Sequence, residues 1–274
     1  ALIAAGGMHT CLIKSNGTLW CWGSNSTGEL GTGDTVDQLE PAQVGSDTNW
    51  TEVAAGSGTT CARRSDGTLW CWGTNQFGQL GDGSGTDQLQ PAQVGTDTDW
   101  EQFSSNADKS CAIRTDGTWW CWGRNLDGSG DVEPTPVQIG ADSDWASTSV
   151  GEDSLCAIRM NNTLWCLTGS VVAQVGSAAN WTSISGGSTH ECGTQSDGTA
   201  WCWGRGYDGQ LGGGDTEDQT TPVQVGTDSN WVAMATATKQ TCALRQDGSL
   251  WCWGLNEFGL LGYLPDVNTP QQVT

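Results

Sequence analysis

The chain is 274 residues long and contains 40 glycines, 17 tryptophans and 12 cysteines, whereas only 15% of its residues are charged. Its 31 acidic and 10 basic residues give a formal charge of −21, which repels nucleic acids and anionic lipid headgroups at long range. No apolar run approaches the roughly 20 residues of a membrane-spanning helix. We therefore expect no nucleic-acid partner and no membrane insertion, and a core built largely from tryptophan and cystine.

Six cysteine pairs divide the chain into repeats of 36 to 50 residues. Each pair encloses nine residues, and a period of this length is typical of propeller blades and solenoid coils. We therefore predict a single repeat domain over residues 1–274. The pairs are Cys11 and Cys21, Cys61 and Cys71, Cys111 and Cys121, Cys156 and Cys166, Cys192 and Cys202, and Cys242 and Cys252.

The first strand of a repeat is predicted from a Trp-x-x-Val or Trp-x-x-Ile pattern, and the next two strands flank a glycine-containing turn. In the second repeat, a three-residue loop with Gly67 in the left-handed conformation pairs Arg64 with Thr68. This register places Cys61 opposite Cys71, within reach of a disulfide. We predict one bridge per repeat and hence an oxidising compartment, because the spacing fits neither zinc nor redox motifs.

The third strand of a repeat carries apolar residues on both faces. Trp20 and Trp22 face one side, whereas Leu19 and Cys21 face the other. Such a sheet needs a neighbour on each side, and radial stacking of blades supplies both without helices. A Pro-x-x-Val segment adds a fourth strand. The pattern predicts an all-β, six-bladed β-propeller of four-stranded blades.

The two ends of the chain look complementary. Ala1 lies just past the expected Trp position, and Pro270–Val273 supplies the strand that precedes this position in other repeats. We expect the N- and C-terminal strands to pair in the first blade and close the ring, because an open ring would leave aggregation-prone edges.

The segment Gly73-Thr-Asn75-Gln-Phe-Gly78-Gln-Leu80-Gly81-Asp-Gly83 resembles the signature of the regulator-of-chromosome-condensation repeat. The resemblance covers essentially the whole chain, although the copy after Gly123 is shortened and the repeat with Cys166 lacks the segment. It implies a propeller, and a structural hydrogen bond for His9 and His190. Propellers of this family serve nucleotide exchange on a small GTPase, chromatin contact, enzyme inhibition or cell-surface display, so the fold does not fix the function.

Acidic loops follow the Leu-Gly of this segment, and we predict that they form a binding rim. Carboxylates interleaved with glycine can coordinate calcium, although no loop matches the twelve-residue calcium pattern. Calcium stays open as an alternative to solvated loops, and no other metal or cofactor is predicted. The residues are Asp34, Asp37, Glu40, Asp82, Asp87, Asp215, Glu217 and Asp218.

A basic residue follows the first cysteine by three positions in five repeats, where we expect it to pair with turn carboxylates. The two histidines and scattered carboxylates form no Ser-His-Asp, Cys-His or metal-binding pattern, so we predict that the chain is not an enzyme. The basic residues are Lys14, Arg64, Arg114, Arg159 and Arg245. Five Asn-x-Ser/Thr sequons are candidate glycosylation sites: Asn16, Asn25, Asn49, Asn161 and Asn180, of which Asn25 and Asn49 are expected to be the most accessible.

The leading interpretation is a secreted or cell-surface scaffold that binds a protein partner or itself through its loop rims, including a subunit of an extracellular fibre or layer. The fourth repeat, which lacks the long loop, could seat such a neighbour. Two alternatives stay open. One is a soluble enzyme inhibitor or neutralising binder that acts through one propeller face; the other is a lectin-like glycan binder, with Trp119 and Tyr207 as candidate stacking residues.

Overall fold

Each cysteine hairpin forms the middle of a four-stranded antiparallel sheet in the computed structural model. The structure describes residues 2–126, 129–152, 154–256, 259, 261 and 266–273. The six sheets are the blades of a six-bladed β-propeller, which confirms the predicted fold class. Within the described ranges, no helix is long and apolar enough to cross a bilayer.

Contacts divide the chain into two compact units, Ala1–Asp144 and Trp145–Thr274. The first unit contains blades 1 to 3. Its strands are β1 (Leu2–Ala5), β2 (His9–Ile13), β3 (Leu19–Gly23) and β4 (Gln38–Gln43) in blade 1; β5 (Trp50–Ala55), β6 (Thr59–Arg64), β7 (Leu69–Gly73) and β8 (Gln88–Gln93) in blade 2; and β9 (Trp100–Ser105), β10 (Lys109–Arg114), β11 (Trp119–Arg124) and β12 (Val132–Gln138) in blade 3.

The second unit contains blades 4 to 6. Its strands are β13 (Trp145–Val150), β14 (Leu155–Arg159), β15 (Leu164–Thr168) and β16 (Val171–Gln174) in blade 4; β17 (Trp181–Gly186), β18 (His190–Gln195), β19 (Ala200–Gly204) and β20 (Gln219–Gln224) in blade 5; and β21 (Trp231–Thr236), β22 (Gln240–Arg245), β23 (Leu250–Gly254) and β24 (Val267–Gln272) in blade 6.

The turn between the second and third strands has the predicted geometry. In blade 2, Gly67 has a φ of +80°, and the Arg64 N–H donates to the Thr68 carbonyl at 3.0 Å. Asp66 Oδ1 accepts hydrogen bonds from the Thr68 hydroxyl at 2.7 Å and from its N–H at 3.0 Å, and both bonds lower the pKa of Asp66. Thr68 Oγ1 in turn accepts the Trp70 indole N–H at 2.8 Å. The turn therefore fixes the hairpin and one tryptophan together.

All twelve cysteines form the predicted bridges, one in each blade, and none is left as a free thiol. In every blade the two bridged residues lie directly opposite each other in the ladder between the second and third strands. Each bridge therefore joins two strands that the turn has already aligned. The bridges join Cys11 to Cys21, Cys61 to Cys71, Cys111 to Cys121, Cys156 to Cys166, Cys192 to Cys202, and Cys242 to Cys252.

The expected pairing of the terminal strands is wrong. β1 is the first strand of blade 1 and pairs with β2, whereas β24 is the fourth strand of blade 6 and pairs with β23. The chain begins one residue past the Trp position, but Leu2–Ala5 is long enough to pair with Thr10–Ile13 without that tryptophan. Blade 1 is thus complete without a strand from the C-terminus.

The cores lie between neighbouring blades of each unit. In the first unit, Trp72 of blade 2 packs in one cluster with the Cys11–Cys21 bridge of blade 1, and Trp122 of blade 3 packs with Cys61–Cys71 of blade 2. In the second unit, Trp253 of blade 6 packs with Cys192–Cys202 of blade 5. Each tryptophan thus covers the bridge of the preceding blade, and burial of so large a ring dominates the contact energy.

Replacing both Cys61 and Cys71 with alanine should lower the free energy of unfolding by about 2–3 kcal/mol, because the bridge closes a short loop and its sulfurs are buried. Guanidinium denaturation without reductant measures the change. Wild-type protein with all its disulfides intact is the control. An unchanged denaturation midpoint in the double variant would show that the bridge adds no stability.

Candidate binding surface

The third and fourth strands of each blade are joined by a segment that we call the connector. Because the strands are antiparallel, connectors project from the same end of the blades as the turns between first and second strands. We call this end of each blade its connector rim and the opposite end its hairpin rim. The connectors are residues 24–37, 74–87, 125–131, 205–218 and 255–266, whereas blade 4 has only residues 169–170.

One asparagine organises the connector of blade 2. The Asn75 N–H donates to Asp87 Oδ1 at 2.7 Å, and the Leu80 N–H donates to Asn75 Oδ1 at 3.1 Å. Asn75 Nδ2 donates to Asp82 Oδ1 at 2.9 Å and to the Thr86 carbonyl at 3.1 Å. The fully buried side chain therefore holds both halves of the loop. Asn25 does the same in blade 1, with Asp37 and Leu30 as partners.

The connector of one blade also binds the next blade. The Gln79 carbonyl accepts two hydrogen bonds from blade 3, at 2.9 Å each: one from the Trp122 indole N–H and one from the Ser110 hydroxyl. Gly81 has a φ of +70°, and a Cβ there would lie 2.7 Å from Trp122 Nε1. The glycine is therefore required both by the turn and by the indole packed against it.

The same two-donor contact recurs at two other junctions. The Glu29 carbonyl accepts from Trp72 Nε1 at 3.0 Å and from Thr60 Oγ1 at 2.7 Å. The equivalent acceptor for blade 6 is the carbonyl of Gln210, at 2.9 Å from both Trp253 Nε1 and Thr241 Oγ1. The connector is thus an inter-blade joint as well as a surface loop.

The predicted acidic residues combine a structural role with exposure on the connector rim. Asp37, Asp87 and Asp218 each accept the N–H of the residue that begins their connector turn, at 2.7–2.9 Å. In the first unit, Asp34 and Asp82 accept hydrogen bonds within their own loops. In the second unit, Asp215 accepts the Glu217 N–H at 3.3 Å. Each of these carboxylates uses one oxygen or both to shape its loop.

Glu40 lies on β4 and is exposed, so it belongs to the outer strand of blade 1 and not to its connector. All the other predicted acidic residues lie in connectors, and all but half-buried Asp82 are exposed. Among the residues that the structure describes, no three His, Cys, Asp or Glu side chains gather in a geometry that could hold a metal ion.

Both histidines are buried between blades. His9 Nε2 lies 2.8 Å from Thr60 Oγ1, and His190 Nε2 lies 2.8 Å from Thr241 Oγ1. Because each threonine hydroxyl donates to a connector carbonyl, the histidine must be the donor in its own bond. Burial lowers the pKa of His9, and it lowers the pKa of His190 to about 4. Both imidazoles are therefore neutral structural donors near pH 7.

The junction between blades 4 and 5 has no long connector. Trp203 occupies the position of Trp72, Trp122 and Trp253, but no described residue accepts a hydrogen bond from its indole N–H. Its side chain is 8% exposed, whereas the other three are fully buried. The missing connector therefore leaves this tryptophan less covered and without its acceptor.

Glu191 lies in the same junction, at the position that Ser or Thr occupies where a long connector is present. Its carboxylate is buried against blade 4, where the Ser154 hydroxyl donates to Oε1. Gly151 and Gly186 make room for it, because a Cβ on either would lie 2.8 Å from Oε1. Burial raises the pKa of Glu191 to about 8, against the effect of the Ser154 hydrogen bond.

Comparison with known proteins gives the family of this chain. The model for the "Regulator of chromosome condensation (RCC1) repeat" matches residues 16–63, 66–113 and 197–244, which together make up more than half of the sequence. The chain belongs to this family. A second RCC1 repeat model matches residues 1–29, 50–79 and 241–260. Neither model matches residues 114–196, which include blade 4.

Solved structures share the fold. Human WBSCR16 superposes with a TM-score of 0.86 at 19% identity, over 99% of this chain and 81% of that one. Prp20p of Saccharomyces cerevisiae, studied for its binding to Gsp1p and histones, has a TM-score of 0.85 at 20% identity over 99% and 76%. The CRINKLY WD40 ectodomain of the Arabidopsis thaliana receptor kinase ACR4 has a TM-score of 0.60 at 16% identity over 99% and 81%. At these identities the likeness concerns the fold alone.

The basic residues of the RCC1 repeats are stacked at the hairpin rim. The Arg64 guanidinium carbon lies 4.5 Å from the Trp50 ring centre and 4.1 Å from that of Trp70, and Nη2 lies 2.6 Å from Asp47 Oδ2. Arg114, Arg159 and Arg245 are likewise stacked between two tryptophans, and Lys14 stacks on Trp20.

The carboxylate partners are Asp47 for Arg64, Asp97 for Arg114 and Asp228 for Arg245, each 17 residues earlier in the chain. They precede the first strand of the blade and are not the turn carboxylates that follow the arginine. Blade 5 has Gln195 in place of the arginine and Ala178 in place of the aspartate. The stacked cation and its carboxylate are therefore replaced together.

The candidate glycosylation sites differ in access. Asn25 is fully buried inside its connector, which contradicts its expected accessibility. Asn49 and Asn180 are half-buried. Asn16 and Asn161 are exposed, and each takes the role that aspartate has in the other hairpin turns, with Oδ1 accepting from the threonine two residues later. Only the amide oxygen is used there, so the amide nitrogen faces solvent.

The two aromatic residues considered for sugar stacking also differ. Trp119 is fully buried, so it cannot stack on a glycan. Tyr207 is 58% exposed, and its hydroxyl lies 3.3 Å from Lys239 Nζ.

Trp122→Phe should lower the free energy of unfolding more than Trp203→Phe, because Trp122 donates to a connector carbonyl and Trp203 does not. We expect a difference on the order of 1 kcal/mol, the net value of one buried hydrogen bond. Both substitutions remove a similar ring volume, so the second is the matched control in thermal or guanidinium denaturation. Equal losses would show that the indole bond is not needed at the joint.

Glu191→Gln should remove a pH dependence of stability. The unfolded carboxyl ionises near its usual value of 4.5, whereas burial raises the folded pKa to about 8. Its contribution is therefore complete below the unfolded pKa and is lost as the pH rises towards 8. Between about pH 6.5 and 8, the wild type should lose stability relative to the variant by on the order of 1 kcal/mol per pH unit.

Urea denaturation over this pH range measures both proteins. His190, whose folded pKa is about 4 and whose usual value is 6.5, is present in both proteins, so its contribution cancels in the comparison. Parallel stability curves for the wild type and Glu191→Gln would contradict the raised pKa.

Proposed function

We propose that this chain is a secreted or cell-surface RCC1-repeat propeller that acts by binding proteins, or further copies of itself, and not by catalysis. The observation that carries the proposal is the disulfide repeated in every blade. Disulfides persist in oxidising compartments and are rare where glutathione keeps thiols reduced. A fold that uses all twelve cysteines in such bridges suits a life outside the cytosol.

The distribution of polar groups supports binding over catalysis. Both imidazoles are buried and donate to threonines of the next blade, so neither is available to a substrate. The exposed carboxylates are held by hydrogen bonds in loops of differing sequence on a rigid scaffold, which is where repeat propellers place recognition. The charge of −21 favours partners with basic surfaces.

Proteins of this fold provide a precedent both for protein binding and for a place in a receptor ectodomain. Prp20p is a protein of this fold studied for binding to Gsp1p and histones, and ACR4 carries the fold in a receptor ectodomain. The disulfides make the second setting the better analogy for this chain.

In the organism that makes the protein, we expect it in the medium or on the cell surface with no free thiol. Fractionation followed by alkylation before and after reduction tests this, and twelve cysteines should become reactive only after reduction. A carboxylate-directed cross-linker applied to intact cells should join connector-rim residues such as Asp34 and Glu217 to another polypeptide.

A known cytosolic protein from the same cells is the control for leakage. Reduced cysteines in a cytosolic fraction would contradict secretion, and cross-links confined to single chains would contradict the binding function.

A further inference from the structure

The outer strand of blade 4 lacks a residue that guards the other five. The fourth strand of each blade ends before a Val or Ile whose N–H donates back to the third strand, as Val94 does to the Leu69 carbonyl at 2.8 Å. Three residues before that position, five blades have a proline. Val175 makes the same bond to Leu164, so Val172 holds the proline position in blade 4. The prolines are Pro41, Pro91, Pro136, Pro222 and Pro270.

The ladder of blade 4 is also more regular than the others. In blades 1, 2, 3, 5 and 6 the register between the third and fourth strands shifts at the residue before the last glycine of the third strand. In blade 4, Thr168 to Trp165 pair in unbroken order with Val171 to Gln174. Prolines and bulges are two devices by which edge strands avoid pairing with other chains. β16 has neither.

The free edge presents backbone groups to solvent. Val175 forms a hydrogen-bonded pair with Leu164, so the alternation of an antiparallel ladder turns the N–H and C=O of Val172 and Gln174 away from β15. Val171 is 63% exposed, and the short turn at residues 169–170 replaces the long connector of other blades. The edge is therefore free of a bulge, and its first residue is exposed.

The charge pattern favours a second copy as the occupant. No Asp, Glu, Lys or Arg occurs between Arg159 and Glu191, although the chain carries a net charge of −21. Two such acidic molecules repel each other over most of their surface, and this stretch, which contains the whole of β16, adds no carboxylate to a contact between them. A partner with a basic surface would gain nothing at a neutral edge.

We propose that β16 pairs antiparallel with β16 of a second copy and joins two blades into one eight-stranded sheet. The proposal rests on the proposed binding function and specifies its self-association. Strand addition at a sheet edge derives affinity from main-chain hydrogen bonds. Because the same edge serves both copies, the contact has two-fold symmetry and closes at a dimer.

Val172→Pro tests the pairing, because it installs the residue that five other blades already accept at this position. The wild type should show a reversible monomer–dimer equilibrium in sedimentation equilibrium over a concentration series. Val172→Pro should weaken association at least tenfold, without a change in the melting temperature measured at concentrations where the wild type is monomeric. Val172→Thr, which keeps the N–H and the branched shape, is the matched control and should associate as the wild type does.

Two further measurements protect the test. Val171→Lys leaves the backbone intact and adds a charge at an exposed position, so it should also weaken association if Val172→Pro proves unstable. Hydrogen exchange by mass spectrometry should show slower exchange in a peptide covering Val172 and Gln174 as the wild-type concentration rises.

A wild type that stays monomeric throughout, or a dimer that Val172→Pro and Val171→Lys leave unaffected, would overturn the proposal. So would a dimer whose formation leaves exchange at residues 171–174 unchanged. These outcomes are separate from the test of the proposed function, since a monomer can still be secreted and bind another protein, and a cytosolic, reduced protein can still be a dimer.

Discussion

In the connectors of blades 1, 2 and 5, a single backbone carbonyl holds the next blade in place. In blade 2 this carbonyl belongs to Gln79, and it receives an indole N–H and a hydroxyl from blade 3. Leaving a buried indole N–H without an acceptor costs about 1–3 kcal/mol, so the connector carbonyl stabilises the tryptophan that the next blade presents. Gly81 of the repeat signature follows from this joint, because a Cβ there would lie 2.7 Å from Trp122 Nε1. The carboxylates divide between the two parts of the connector: Asp37, Asp87 and Asp218 close its ends, whereas Asp34, Asp82 and Asp215 lie within the loop.

The parts of this architecture that depend on local spacing could be predicted from the sequence. Cys61 and Cys71 follow from a three-residue turn, because antiparallel register is fixed once the turn is known. The dual role of Asp87 could not be predicted, since it depends on a loop that brings residue 87 back to residue 75. The same folding back buries Asn25, whose polar surroundings in the sequence suggest exposure. The expected pairing of the terminal strands is wrong because a four-residue strand suffices to complete blade 1.

Blade 4 shows what the connector does by lacking it. Trp203 has no acceptor among the described residues, and the residue that would have been the second donor is Glu191, which turns to Ser154 of blade 4 instead. The Glu191 carboxyl group can be buried at this position because its raised pKa keeps it mostly protonated near pH 7. The substitution therefore exchanges a joint that is independent of pH for one that ionises. The outer strand of blade 4, β16, also departs from the repeat. The loss of the long connector is therefore accompanied by changes at the junction with blade 5 and at the outer edge of the sheet.

The altered junction at Glu191 and the outer edge at β16 differ in which part of the molecule they affect. The altered joint at Glu191 lies inside the second unit, between blades 4 and 5. β16 lies at the outer edge of its sheet and has neither a proline nor a bulge. Each molecule has one such edge, so pairing of β16 with β16 of a second copy stops at a dimer. A fibre or layer would need a second surface of different composition, and the acidic connector rim cannot supply it between identical chains, because like charges would meet. Self-association through β16 therefore leaves the connector rim free for a partner of another kind, and a dimer would present that rim twice, which raises avidity for any partner with repeated sites.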